Sequence, residues 1–475
     1  MKKILFQYLL LLLPVFAVAQ NDPPVYKDFI THARELVNSF KLNDHVWVIE
    51  TRISKESSEI TAVDDHMQVL WRTTIDGYSV GAGRFMGHIL ALSASDYIGM
   101  KNRILGPYTA YLIDEKTGKQ ISKKVFFDRK SDKIEFPSVY FNEDGSNFTF
   151  VIRQSKQGTQ MFGYATKLST IEDLTVIKLD DKLNPTISNP KFPDEEFVNM
   201  DCNYNGDIFL LTHAKSEKNI KVTKYESQKF ESKELITLGM NVHDESDLND
   251  RHGEIFASEE DRNIVYFAVI HRNPEKDDEL SVSKINFGDH TAKSVNEPLT
   301  RSHIKEIEKA YVPFDKNQDK PDIGPRGLRE KYITESNGTL VVVISNQNAD
   351  IGQYSSSGFV ESSLIIKGYD ANLASKFQQL MPSFYRSNLY FPLVTHRYNN
   401  TLFMLAATGG GNKLVDYYGQ LDLVNGNWLK MTQLPKKGMK GVPSPQVMWF
   451  ADGFIIPYQE FSTFRDDISL QLNSY

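Results

Sequence analysis

Tyr111-Leu112-Ile113-Asp114-Glu115-Lys116-Thr117-Gly118-Lys119-Gln120 is an apolar run that meets an Asp-led turn and leaves as a polar strand. The same figure returns at Ile177–Leu183 around Asp180, at Lys367–Leu373 around Asp370 and at Gly419–Gly426 around Asp422. Looser copies are Thr61–Met67, Val222–Ser227 and Lys284–Asp289. A unit that recurs at roughly 45–80 residues signals a repeat architecture.

Strands fill the spaces between copies. His45–Glu50, Ile89–Leu92, Phe148–Ile152, Ile208–Leu211, Ile264–Val269, Leu340–Ile344 and Leu402–Leu405 are short β-branched or aromatic runs, as buried inner strands are. Many follow Asn or Gly turn signals such as Asn205-Gly206 and Asn337-Gly338, residues that reach positive φ easily. Each unit is thus a four-stranded antiparallel meander. Such sheets cannot bury both faces alone, and stacking them radially gives a β-propeller. The seven hairpins predict seven blades. A further hairpin, Gln446–Phe450 into Phe454–Ile456, closes the ring with N-terminal strands. If Ser469–Asn473 adds a strand and the N-terminal segment supplies its fourth, the count becomes eight.

Ala110–Lys119 resembles the repeat of quinoprotein-type propellers, in which an Asp-x-x-Thr-Gly-Lys turn links the outer strands. Val63–Trp71 is similar to the same element with the repeat's closing Trp, here Trp71. The resemblance implies a propeller scaffold; no quinone-binding residue is carried over.

Lys2 and Lys3, the apolar stretch Ile4–Pro14 and Ala17-Val18-Ala19 predict a secretory signal over 1–19, with Gln20 the first mature residue. The expected protein is exported, to the periplasm, outer surface or medium, and carries no transmembrane segment. Loss of Lys2 and Lys3 takes the net charge from −7 to −9, an acidic balance that argues against nucleic-acid binding. Cys202 is the only cysteine, so the chain has no internal disulfide and rests on burial; its setting predicts an inert, buried thiol. Residues 20–43 read as a lead-in plus an amphipathic helix over 25–41, with Phe29, Ala33, Leu36, Val37 and Phe40 on one face. The propeller is expected over 44–475, with an insertion at 298–329 in which Ser302 caps a short helix to Tyr311.

Asp315, Asn317 and Asp319 place oxygens at alternate positions, as a calcium loop begins. Lys320 and Arg326 then stand where such a loop needs Gly and Glu, so the segment reads first as a solvated loop, with Ca²⁺ its candidate ion. His243, Asp244, Glu245, Asp247, Asp250, His252 and Glu254 form the densest His/carboxylate group but have no recognised metal spacing. Gly409-Gly410-Gly411-Asn412-Lys413 lacks the Gly-Lys-Ser/Thr of a phosphate loop. Tyr354, Phe384, Tyr385, Tyr390, Tyr417 and Tyr418 offer an aromatic face or ordinary packing. No residue is assigned a catalytic or cofactor-binding role. The expected function is a non-catalytic propeller that binds a protein, peptide or glycan through loops at 243–254, 298–329, 346–360 and 408–416. The alternative is a glycan- or peptide-processing hydrolase or lyase using carboxylates in the central channel; a redox quinoprotein is a third.

Overall fold

A computed structural model describes residues 23–98, 103–128, 136–156, 160–161, 164–165, 169–192, 194–214, 219–230, 233–238, 253–271, 278–311, 323, 328–351, 357–387, 393–410, 415–435, 442–461 and 466–475. Seven consecutive stretches each form a four-stranded antiparallel meander: 35–76, 78–127, 138–188, 196–238, 254–299, 328–381 and 394–433. These are blades 1 to 7. All seven Asp-type hairpins sit where expected, between the third and fourth strands of a blade.

The remaining sheet joins both ends of the chain. Gly453–Phe461 pairs with Asp466–Ser474, which pairs in turn with Val25–Ala33. Val442–Pro443 and Met448–Trp449 lie along the inner side. This is the eight-bladed alternative: the C-terminal strand contributes the third position and the N-terminal segment the fourth. Blade 8 has no third-to-fourth hairpin because chain termini meet there, which is why counting hairpins stops at seven.

Packing shows that the ring closes. Separate apolar clusters fill the seams between blades 1 and 2, 2 and 3, 3 and 4, 4 and 5, 5 and 6, and 6 and 7. A further cluster spans blades 7, 8 and 1, through Phe403, Tyr418, Trp449, Phe454, Phe29 and Trp47. The inner strands lie side by side between blades 8 and 1, 1 and 2, 2 and 3, 4 and 5, and 5 and 6.

The helix expected over 25–41 is two strands, Val25–Ala33 and Glu35–Asn43. The cause is irregular register. From Tyr26 to Ile30 four residues advance against two on the partner strand, with Asp28 at φ 52°. Further shifts fall between Ile30 and Ala33, Leu36 and Asn38, and Lys41 and Asn43. The first irregularity adds two residues and each of the others one, which interrupts the two-residue alternation. Buried Phe29, Ala33 and Leu36 are thereby spaced four and three apart, which imitates a helix.

Helix α1, Arg301–Ala310, has its cap two residues before the expected Ser302. Thr300 is its cap, with Oγ1 accepting from His303 N at 3.1 Å, while Ser302 bonds the Thr300 hydroxyl at 2.9 Å. Ile304 and Ile307 bury against the seam of blades 5 and 6.

Candidate ligand-binding face

In an antiparallel meander the first and third turns emerge on one face. The second connection and the link to the next blade emerge on the other. The turn face is consumed by internal bonds. Asp114 Oδ1 accepts from Lys116 N at 3.1 Å, Thr117 N at 2.8 Å and Thr117 Oγ1 at 2.7 Å. Asp180 Oδ1 accepts from Lys182 N and Asn184 N, and Asp370 Oδ1 from Asn372 N and Ala374 N. These bonds hold the Asp114 carboxyl below its usual range, led by Thr117, and the Asp180 carboxyl likewise, led by Asn184. The recurring Asp therefore serves the turn.

Links from blade to blade use the same face. Trp71 Nε1 donates to Glu115 O at 3.1 Å, Met86 N to Gly145 O at 2.9 Å and Asn203 Nδ2 to Arg262 O at 2.9 Å. Gly338 N donates to Glu260 Oε2 at 3.1 Å, Ser336 Oγ to Asn399 O at 3.0 Å and Trp47 Nε1 to Trp449 O at 2.8 Å.

The opposite face holds the long connections, and over blades 6 and 7 it rises into extra sheet. Strands Thr339–Ile351 and Ser357–Tyr369 stay paired from Gln347↔Glu361 out to Ile351↔Ser357. The expected loop over 346–360 is strand over 346–351 and 357–360, where Asn346, Asn348, Ser357 and Gly358 read as loop residues but cross-strand pairing holds them extended. Residues 352–356, with Tyr354, lie outside the described residues. Likewise Thr401–Gly410 carries the strand through Gly409 and Gly410, with 411–413 outside the described residues. A short strand, Phe384–Ser387, joins the two blades. It runs antiparallel to Phe359–Glu361 and parallel to Thr408–Gly410. Blades 6 and 7 become one continuous sheet there. Segments 346–360 and 408–410 and residues Phe384 and Tyr385, separate in the sequence, come together in it.

Asp315, Asn317 and Asp319, the group from His243 to His252, and Tyr390 lie outside the described residues. Tyr418 is fully buried against Phe454 at 4.7 Å, a core role. The Cys202 thiol is pushed up to about 12, by burial first and by the Asp201 charge next, so it is overwhelmingly protonated at neutral pH. Among the described residues no group of three His, Cys, Asp or Glu side chains is placed to hold a metal ion.

Sequence reasoning missed the buried ionisable groups at the seam ends beneath this face. Glu50 lies between blades 1 and 2 and accepts from Ser79 Oγ. Glu196 Oε2 and His213 Nδ1 meet at 3.2 Å in blade 4, both side chains buried. Burial first, then the charge of Glu254, holds the Glu330 carboxyl well above its ordinary range. Asp416 Oδ2 accepts from the buried Tyr458 hydroxyl at 2.8 Å. Beside it Val394, Leu405, Val447 and Ile456 line a crevice between blades 7 and 8 with no room for a water molecule. Glu50, His213 and Asp416 stand at or beside apolar runs, whereas Glu196 and Glu330 lie in the charged stretches Asp194-Glu195-Glu196 and Arg329-Glu330-Lys331, which read as exposed.

The inner strands of neighbouring blades are tied to one another. Asn38 Nδ2 donates to Ala82 O at 2.7 Å, Tyr140 OH to Met200 O at 3.1 Å, and Asn199 Nδ2 to Gly253 O at 2.9 Å. Ala257 N donates to Asp201 Oδ2 at 2.7 Å, and Gln446 Nε2 to Val37 O at 3.2 Å.

No family model matches the chain, and no curated protein matches it. Among solved structures it is similar to Sqt1 from Chaetomium thermophilum, at 10% identity over 96% of this chain and 99% of that one, with a TM-score of 0.46. It is also similar to the WD40 domain of SCAP from fission yeast, at 9% identity over 94% and 98%, TM-score 0.43. A third is the β-propeller domain of the trilobed protease from Pyrococcus furiosus, at 10% identity over 86% and 100%, TM-score 0.40. The class defined by the sheets and seams is the β-propeller.

Proposed function

We propose that this propeller is a non-catalytic binding protein that takes an extended protein, peptide or glycan ligand on its long-connection face. The raised sheet over blades 6 and 7 is its main contact. The observation that carries this reading is the strand Phe384–Ser387, which fixes two long hairpins into one platform. Ordered strands cost conformational entropy, and a platform set in advance spares a ligand that cost. The opposite face spends its polar groups on turns and seams. Export after removal of residues 1–19 belongs to the same proposal, and it places the ligand outside the cytoplasm.

The test is selection from a displayed peptide library and a glycan array. The wild-type protein is compared with a variant whose residues 348–360 are replaced by Asn-Gly, after melting curves show both folded. Ligands enriched on the wild type and lost on the trimmed variant support the proposal. Equal enrichment on both would sink it.

A further inference from the structure

Glu50 is fully buried in the second strand of blade 1 and faces blade 2. Ser79 Oγ, on the inner strand of blade 2, donates to its Oε1, and its Oε2 has no hydrogen-bond partner. The nearest cation, Arg52, is engaged elsewhere. Its guanidinium pairs with Glu35, donates to Ser79 O at 3.3 Å and lies 3.9 Å over the Tyr78 ring. Arg52 Nε and the Oγ of Ser58, the residue paired with Arg52, have no partner either. The charged group that acts on Glu50 is Arg52 from its own strand, which in turn holds Glu35 of the inner strand of blade 1 and lies over Tyr78 of blade 2.

A neutral carboxyl fits this seam at modest cost. An ionised one, with one of its two oxygens unpaired and both shut off from solvent, does not. We infer that the seam between blades 1 and 2 is a proton-operated latch, closed while Glu50 carries a proton and loosened when Glu50 ionises. The Glu50 carboxyl is pushed up to about 7, by burial first and against the pull of Ser79 and Arg52. A raised folded-state value means that the carboxyl's contribution is complete below its ordinary value near 4.5 and is lost as pH rises through about 7. The latch sits at the low side of the long-connection face, where Gly77 alone joins blades 1 and 2. It stands whether or not that face binds a ligand.

The test is hydrogen–deuterium exchange on the full chain from pH 5 to pH 8, corrected for intrinsic exchange. If the open seam restores the ordinary carboxyl value, its opening equilibrium rises roughly 70-fold over that range. Amides of Val46–Arg52 and Tyr78–Phe85 then exchange correspondingly faster. Phe148–Lys156, in the aromatic seam of blades 2 and 3, is the internal reference and stays flat. Glu50→Gln keeps an acceptor for Ser79 and removes the proton, so its exchange is expected to be independent of pH. The latch is overturned if the reference strand accelerates equally, if the wild-type seam is flat, or if Glu50→Gln keeps the wild-type slope. Should Glu50→Gln not fold, the comparison of the two wild-type seams decides alone.

Discussion

Trp71, in the outer strand of blade 1, packs on Gly118 in the outer turn of blade 2. The fit is so close that a Cβ on Gly118 would lie 2.5 Å from the ring atom Cε3. Gly118 also sits at φ 68°, and Trp71 Nε1 donates to the adjacent Glu115 carbonyl. Gly118→Ala therefore combines a clash with a left-handed backbone. It should destabilise the fold by about 3 kcal/mol or more, seen as a lower denaturation midpoint. Trp71→Phe, which keeps packing and loses the N–H, should cost about 1 kcal/mol. An Ala variant as stable as the wild type would remove the interlock from the account.

Closure by the N-terminal strand makes a second prediction. Deleting residues 1–33 removes buried Phe29, Ile30 and Ala33 and bares the edge of Asp466–Ser474. The truncated protein should melt far lower or aggregate, as size-exclusion chromatography with scanning calorimetry would show. An unchanged melting temperature would mean that the chain ends do not close the ring.

Glu330 gives a pH prediction. Its folded-state value is raised, so its contribution is full below the ordinary carboxyl value of 4.5 and is lost as pH rises. Glu330→Gln should match the wild type near pH 4.5 and be the more stable protein at pH 8, read from paired melting curves. A variant less stable at pH 8 than at pH 5, relative to wild type, would show that the charge is compensated in place.

Cys202 should resist Ellman's reagent at pH 8 in the native protein and react fully in denaturant, because burial keeps its thiol protonated in the fold. Rapid native labelling would place the thiol at the surface.

Much of the architecture is written in short-range pattern. Asp114, Asp180, Asp370 and Asp422 mark their turns by local side-chain to backbone bonds, which any sequence of that type forms. The N-terminal strands were illegible because bulges at Tyr26–Ala33 shift the apolar phase, and only the partner Asp466–Ser474, more than 400 residues away, reveals it. The raised sheet was illegible for a related reason. Phe384–Ser387 gains its strand identity from pairing with two other blades, not from its own four residues. Seam carboxylates such as Glu50 show no spacing motif, since blade packing alone decides what faces them.

The central claim is that ligand contacts gather on the raised sheet. Hydrogen–deuterium exchange with the tightest ligand from the peptide or glycan selection tests it directly. Protection is expected in residues 357–361, 384–387 and 408–410, with the ligand recovered intact. Protection confined to turns 203–207 and 258–263 would contradict the proposed face, and cleavage of the ligand would contradict its non-catalytic character.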